Sequence, residues 1–229
     1  NLNRARAGAS SLKPYGGDYI SFVIIGVAAN AYTGVGVQSF SMAIRRAYWG
    51  NELDLFLLTP KGLTSLMLND SLLGFLNSSV NVALYLTVGY LFFGLRFTSA
   101  NYSTGLVFLV FTITASMGFG LLSAAMFGLL RARGTDPVGL AISIMTPLLA
   151  GLYYPLDVLP QWLRTIGWIL PQTHGYLGVR MALLGDASMA QLLPHLLYLV
   201  ISSAFLLPVG WLLLKYSVKK ARREGLIPW

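Results

Sequence analysis

Residues 19–44 read YISFVIIGVAANAYTGVGVQSFSMAI and contain no charged side chain. A helix rises about 1.5 Å per residue, so about 20 apolar residues cross the roughly 30 Å hydrocarbon core of a bilayer. Four further apolar windows follow along the chain. The sequence therefore predicts an all-α polytopic transmembrane bundle with five visible spans, at 19–44, 70–94, 104–130, 138–154 and 193–214.

The overall composition excludes most other classes of protein. Hydrophobic residues make up 55% of the 229 residues and charged residues only 10%, whereas soluble domains carry about 25% charge. So little charge cannot cover a water-facing surface, which excludes a soluble enzyme, a disordered chain and a coiled coil. The chain has no cysteine, and its histidines, His174 and His195, have no ligand-type neighbours at metal-binding spacing. We therefore predict no metal site, and structural or interfacial roles for both histidines.

The basic residues predict the orientation of the spans. If loops 45–69, 131–137 and 215–229 share one side of the membrane, that side holds ten Lys and Arg. The opposite loops, 95–103 and 155–192, hold only three. By the positive-inside rule the basic side is cytoplasmic. The net charge of +8 is thus interpreted as orienting the chain, with no nucleic-acid partner. The basic cytoplasmic tail 215–229 could also contact anionic membrane lipids.

The N-terminal charges do not fit this orientation. Arg4, Arg6 and Lys13 lie in segment 1–18, which the topology places outside. A further span upstream would make 1–18 an external loop, and we expect such a span. The permease domain itself is predicted over 19–214.

Polar side chains recur inside two of the spans. Asn30 and Gln38 lie eight residues apart on one helix face, together with Gly26 and Gly34. Two explanations remain open: polar and small residues pack helices together in lipid, or the amides line a substrate path. In either case we predict that the amides face the bundle interior or a dimer interface, because an amide exposed to hydrocarbon lacks hydrogen-bond partners. The candidate path residues are Asn30, Gln38, Asn77 and Asn81.

Ionisable residues are missing from the middle of every predicted span. Ion-coupled carriers usually need such groups at membrane depth, so an ion-coupled secondary transporter becomes the weaker alternative. Motifs of intramembrane enzymes are also missing, and we predict no catalytic residue. The third span carries small residues at every fourth position, which favours close helix packing: Ser116, Gly120, Ala124 and Gly128.

Loop 45–70, RRAYWGNELDLFLLTPKGLTSLMLND, is too apolar to be only a linker. Leu53, Phe56 and Leu57 form an apolar face at helical spacing, and Pro60 ends such a helix because it lacks an N–H. Glu52 and Asp54 add negative charge. We predict a cytoplasmic helix that docks on another protein, lies on lipid, or does both.

Segment 155–192 is interrupted by prolines, and the stretch 157–171 within it is too short and too interrupted to span the bilayer. We predict an external re-entrant hairpin of two short helices, 158–169 and 175–185, hinged at Pro171-Gln172-Thr173. Broken backbone at membrane depth must be sheltered by protein. Trp162 and Trp168 would lie at the interface, which indole rings favour.

The order and spacing of several short motifs resemble the permease subunit of the second exporter type of ABC transporters. This family contains bacterial drug, antibiotic and polysaccharide or glycolipid exporters. The resemblance covers about residues 20–220. Its motifs are Asp54 with Leu57-Leu58 and Thr59-Pro60, then Tyr154-Pro155, Leu159-Pro160-Gln161-Trp162, Pro171-Gln172-Thr173 and Arg180.

The resemblance implies roles for these residues. Six spans are usual in the family, against five here, and the family's acidic residue shortly before the last arginine is absent from 176–179. Coupling to an ATPase is expected at Glu52, Asp54, Leu57, Leu58, Thr59 and Pro60. An external gate is expected at Tyr154, Pro155, Pro160, Trp162, Pro171 and Arg180.

Partners follow from a missing motif. A Walker A loop needs a Gly-Lys dipeptide whose lysine reaches the phosphates, and this chain has none. We therefore expect no cofactor on this chain. The resemblance implies a separate ATPase that binds ATP and Mg²⁺, in two copies, beside a second permease subunit. The resemblance implies a prokaryotic plasma membrane. A structural membrane scaffold remains an alternative, and copurification with an ATPase would exclude it.

Overall fold

The computed structural model describes residues 18–50, 52, 56, 59, 62–95, 101–129, 136–185 and 187–223. All regular structure within these ranges is helical, which confirms the all-α class. The elements are α1 (Tyr19–Trp49), α2 (Gly62–Phe93), α3 (Tyr102–Leu129), α4 (Pro137–Leu149), a 3₁₀ turn (Leu156–Val158), α5 (Gln161–Ile169), α6 (Pro171–Leu183) and α7 (Met189–Arg223).

Four of these helices, α1, α2, α3 and α7, are long and apolar enough to cross a membrane. They correspond to the first, second, third and fifth predicted spans. The fourth is shorter than predicted: α4 has 13 residues, a rise of about 20 Å. Helix α4 ends at Leu149 because Gly151 adopts a φ of 71°, a left-handed conformation that terminates helices. Residues 150–155 then continue without regular structure.

Helix α3 lies at the centre and packs against α1, α6 and α7. Its small residues allow the close approach. A Cβ on Gly120 would lie 2.3 Å from the carbonyl oxygen of Gly36 on α1, and a Cβ on Gly118 would lie 2.5 Å from Leu206 Cβ on α7. Ser116 is fully buried beside Gly36. Ser116 and Gly120, two members of the predicted ladder of small residues, therefore pack against α1.

The proline-rich segment forms two short helices, α5 and α6, as predicted. The hinge is Leu170 alone, and the predicted hinge at Pro171-Gln172-Thr173 is wrong. These three residues form the first turn of α6. The reason is local: proline fits the first helical position, where its missing N–H has no role.

Loop 45–70, which contains the predicted coupling residues, is described only in part. The Phe56 amide donates to the Glu52 carbonyl oxygen at 3.3 Å, as in a helical turn, and the Gly62 amide donates to the Thr59 carbonyl oxygen at 3.0 Å. Phe56 packs against a core cluster formed by α1, α2, α3 and α7. Glu52 and Thr59 are exposed. Four coupling candidates lie outside the described residues: Asp54, Leu57, Leu58 and Pro60.

Most of the predicted N-terminal segment also lies outside the described residues. Its last residue, Asp18, caps α1: the carboxylate accepts from the Ser21 amide at 2.9 Å and from the Ile20 amide at 3.3 Å. These two bonds satisfy backbone N–H groups that the start of a helix leaves unpaired.

Candidate functional site

The predicted polar stripe on α1 borders a cavity. Asn30, Gly34 and Gln38 line a volume of about 150 Å³ between α1, α4 and the start of α6. Because they lie four residues apart, one helix face presents all three. Every lining side chain is uncharged, and most can form hydrogen bonds. The other lining residues are Thr33, Val37, Ile142, Ser143, Thr146 and Gln172.

A buried hydroxyl chain fixes one wall of the cavity. The Tyr176 hydroxyl donates to Asn30 Oδ1 at 2.9 Å and lies 2.8 Å from Thr33 Oγ1. Thr33 Oγ1 also donates to the Asn30 carbonyl oxygen at 3.2 Å, so its single hydrogen is shared between that oxygen and the Tyr176 hydroxyl. Since Asn30 Oδ1 is engaged, its amide hydrogens remain for the cavity that it lines.

Gln172, on the first turn of α6, closes the cavity from the opposite side. Its side chain is only 1% exposed. Its Nε2 donates to Ser116 Oγ at 3.4 Å, whereas its Oε1 has no hydrogen-bond partner among the described residues. Sequence reasoning treated Gln172 only as a hinge residue. No local signal distinguished Gln172 from the neighbouring polar residues Thr173 and His174.

The structure does not bring Asn77 and Asn81 to the cavity. Both are exposed on the outer face of α2, because α2 contacts α1 through another face. There Ser71 Oγ lies 2.8 Å from Ser39 Oγ, and Ser78 Oγ donates to an α1 carbonyl oxygen. Within a single copy, the prediction that these asparagines face the bundle interior is wrong. Their location at a dimer interface remains a prediction.

Arg180 is the one charged residue of the predicted gate, and it is only 2% exposed. Its guanidinium donates to the carbonyl oxygens of Phe22 at 2.9 Å, Gly151 at 2.7 Å and Leu152 at 2.6 Å. The group also lies 3.6 Å above the Phe22 ring centroid. Gly26 on α1 makes room, since a Cβ there would lie 1.9 Å from Arg180 Nη2. Arg180 thus joins α1, α6 and the irregular segment after α4.

The remaining gate candidates divide between interior and surface. Pro155 and Pro171 are buried, and Tyr154 donates its hydroxyl hydrogen to a carbonyl oxygen of α4. Pro160 and Trp162 are exposed where α5 begins. The structure therefore brings Arg180 together with neither Pro160 nor Trp162.

Sequence reasoning missed a carboxylate that ties three helices together. Asp136 caps α4, accepting from the Gly139 amide at 2.7 Å. The same carboxylate accepts from Ser41 Oγ on α1 at 2.6 Å and from Ser123 Oγ on α3. The Asp-Pro pair before an apolar run is an N-cap signature that predicts the capping role. The serine contacts depend on tertiary packing.

The two histidines form a cluster with Trp168. His174 Nε2 lies 2.9 Å from the Trp168 carbonyl oxygen, which can only accept, so this nitrogen carries the hydrogen. His174 Nδ1 then accepts from His195 Nδ1 at 2.8 Å. Trp168 stacks on His195. Both histidines thus have hydrogen-bond partners within this cluster, and no group of three potential metal ligands comes together in the described part of the chain.

Spanning helices that enclose an uncharged polar cavity are consistent with a membrane transport domain. A family model described as ABC-2 type transporter matches residues 6–184. The chain belongs to the ABC-2 type transporter family. This ABC-2 chain is an integral membrane protein and a transport subunit, not a catalytic one. Its family match takes in α1 to α6, including the cavity and Arg180. A comparison with curated proteins found no significant match.

Proposed function

We propose that this ABC-2 permease forms the substrate path of an ATP-driven exporter and couples to a separate ATPase. The supporting observation is the uncharged hydrogen-bonding cavity between α1, α4 and α6. Polar groups at membrane depth are costly and lie against a protein interior or a water-filled cavity. The cavity contains Asn30 and Gln38, the two α1 residues that the sequence marks as path candidates.

Coupling takes place through segment 45–70. Phe56 anchors this segment in the core cluster at one end of the bundle, while Glu52 and Thr59 remain exposed for contact with the ATPase. Motion of a docked ATPase therefore reaches the ends of α1, α2, α3 and α7 through one apolar side chain. The sequence adds Asp54, Leu57, Leu58 and Pro60 to the docking surface.

The assembly contains two permease subunits, identical or different, and two ATPase subunits that bind ATP and Mg²⁺. It lies in a prokaryotic plasma membrane, with segment 45–70 and the tail 215–229 on the cytoplasmic side. This arrangement rests on family membership and on the distribution of basic residues.

The experiment is coexpression of the full-length protein with an ATPase encoded beside it, followed by reconstitution into proteoliposomes. We expect copurification and vanadate-sensitive export of a lipophilic substrate. A permease that never associates with an ATPase and shows no vanadate-sensitive transport would refute the export proposal.

A charge reversal tests the coupling segment. The double variant Glu52→Lys with Asp54→Lys should insert normally but release the ATPase, or hydrolyse ATP without export. Asp157→Lys is the matched control, because Asp157 is an exposed acid on the 3₁₀ turn of the external segment. If the double variant binds its ATPase and exports at the normal rate, these charges do not mediate coupling.

A further inference from the structure

An open cleft separates the first turn of α2 from the last turns of α7. It measures about 440 Å³, and Phe56 and Thr59 of loop 45–70 form part of its wall. The cleft shares no lining residue with the polar cavity between α1, α4 and α6. The proposed substrate path therefore does not account for it.

Two lysines line the α7 side of the cleft. Lys215 and Lys219 are four residues apart, so they lie on one face of the helix, and both are exposed. Like charges at this spacing repel each other. Neither lysine pairs with a carboxylate in the part of the chain that the structure describes. An anion bound between the two ammonium groups would offset this repulsion, so the wall favours an anionic ligand.

Much of the remaining lining is apolar. The Lys215 ammonium lies 5.3 Å from the centroid of the Trp211 ring, and Leu214 lines the same side. Phe56 and Leu63 line the cleft from the other side, and both pack against the core cluster that contains Leu214. A ligand that matches both kinds of lining is amphiphilic, with its anionic group at the lysines and its apolar part against these side chains.

The position of the lysines along α7 suits the head group of a membrane lipid. Lys215 directly follows the predicted span 193–214, and Trp211 precedes it by one turn, as is typical of the membrane–water interface. Basic pockets at the cytoplasmic ends of spanning helices bind anionic lipid head groups. The cleft has this location when loop 45–70 and the tail 215–229 are cytoplasmic.

We propose that the cleft binds the phosphate of an anionic glycerophospholipid of the cytoplasmic leaflet, as a resident lipid and not as the transported molecule. Lys215 and Lys219 bind the phosphate, and Thr64 on the opposite wall offers a hydroxyl hydrogen. Because the lipid contacts loop 45–70 as well as α7, it holds the coupling segment against the bundle. This inference rests on the orientation given under the proposed function.

Lipid binding to the permease without its ATPase tests the inference separately from export. The full-length protein in a non-ionic detergent would be titrated with dioleoyl phosphatidylglycerol or with dioleoyl phosphatidylcholine. Native mass spectrometry measures the fraction of protein that carries one lipid. We expect saturable and tighter binding of phosphatidylglycerol, because phosphatidylcholine has no net charge. An excess of sodium phosphate should not displace the lipid, since free phosphate lacks the acyl chains.

The double variant Lys215→Gln with Lys219→Gln is decisive. We expect its affinity for phosphatidylglycerol to fall about 25-fold, or about fivefold for each lysine. The matched control, Lys220→Gln with Arg223→Gln, removes the same charge from the same helix at residues that do not line the cleft, and should lose much less affinity. Thr64→Phe fills the cleft and keeps both lysines, and should also weaken binding.

Hydrogen exchange tests the contact with loop 45–70. Phosphatidylglycerol should slow amide exchange in this loop in the wild type and in the control variant, but not after loss of Lys215 and Lys219. Unchanged exchange with the lipid bound would show that the lipid does not hold the loop, which would overturn that part of the inference.

Four results would overturn lipid binding at the cleft. Equal affinities of the two double variants would assign binding to the charge of the tail in general. Equal binding of phosphatidylcholine would remove the preference for an anionic lipid. Displacement by sodium phosphate would identify a site for soluble anions. Loss of the ATPase from the Lys215 and Lys219 variant, with normal lipid binding, would show that the cleft docks an acidic segment of the ATPase. Normal lipid binding without ATP-driven export would refute only the proposed function.

Discussion

Of the 32 residues in α2 only five are buried, whereas ten of the 13 residues in α6 are buried. The exposed side chains of α2 are largely apolar. The buried set of α6 includes Gln172, His174 and Arg180. In a lipid solvent apolar side chains are stable at the surface, and polar side chains must find partners inside. Hydrophobicity therefore does not identify the core of this bundle.

Among the variants that test this difference between α2 and α6, removal of Arg180 should cause the largest loss of stability. Arg180→Ala removes the guanidinium hydrogen bonds that three buried carbonyl oxygens accept. We expect a loss of several kcal/mol of folding free energy, because bonds to charged groups contribute about 1.5–3 kcal/mol each. The measurement is thermal unfolding in nanodiscs together with membrane expression level.

Arg164→Ala on α5 is the control for this variant. Arg164 is partly exposed and pairs with exposed Asp157 at 3.4 Å. Such surface pairs contribute about 0–1 kcal/mol. If both arginine variants lower the folding free energy by the same small amount, the burial of Arg180 does not contribute to stability.

Two glycine variants on one face of α1 should have effects of opposite sign. Gly26→Ala would place a Cβ 1.9 Å from Arg180 Nη2 and 2.9 Å from the Leu152 carbonyl oxygen. We expect destabilisation by about 1–3 kcal/mol, as in overpacked cores. At Gly34 a Cβ would meet no atom within 4 Å, so Gly34→Ala should stabilise the helix by up to about 1 kcal/mol. The measurement is the thermal unfolding midpoint of both variants and the wild type. A midpoint that falls for Gly26→Ala and rises for Gly34→Ala would confirm the prediction.

The exposed face of α2 provides a smaller test. If a second copy covers it, replacing Asn77 and Asn81 with leucine should weaken the dimer by about 0.6 kcal/mol for each interhelical hydrogen bond lost. Native mass spectrometry over a dilution series measures this change. Thr87→Val, on the same exposed helix, serves as the control. An unchanged dimer in the double variant would mean that the face contacts only lipid.

The buried histidine of α6 predicts a modest pH dependence. His174 lies outside the four helices that can span a membrane, and burial, followed by the nearby His195, lowers the pKa of His174. The neutral form is thus favoured in the folded state. Stability from this site is present above the ordinary pKa of about 6.5 and is lost as the pH falls through the lowered value. In the variant His174→Gln the thermal unfolding midpoint should change less between pH 8 and pH 5 than in the wild type. The same pH dependence in both proteins would contradict this.

The sequence predicts the long helices well and α4 poorly. Length and hydrophobicity suffice for α1, α2, α3 and α7, although α7 continues through Pro194 and Pro208. The apolar run 138–154 looks similar, yet its helix ends where Gly151 turns left-handed and Arg180 binds the free carbonyl oxygens. Arg180 and Gly151 are 29 residues apart in the chain. A local sequence pattern therefore cannot predict this contact.

Only part of the candidate site could be predicted, because periodicity identifies a helix face but not the distant residues that this face contacts. Four-residue spacing placed Asn30 and Gln38 on one face, which lines the cavity, although Gln38 is itself exposed. The same reasoning placed Asn77 and Asn81 on a common face, but periodicity does not tell which face points inward when lipid and core are both apolar. Gln172 and Asp136 matter through contacts with distant helices, Ser116 on α3 and Ser41 on α1.

The carboxylate of Asp136 determines how the cavity can widen. Its bonds to Ser41 and Ser123 fasten the first turn of α4 to both α1 and α3, while the cavity lies farther along α4, at Ile142, Ser143 and Thr146. Arg180 holds the other end, because it binds carbonyl oxygens of both α1 and the segment that follows α4. The cavity is therefore fastened at both ends, and α1 and α4 can separate only if one of these two contacts is released.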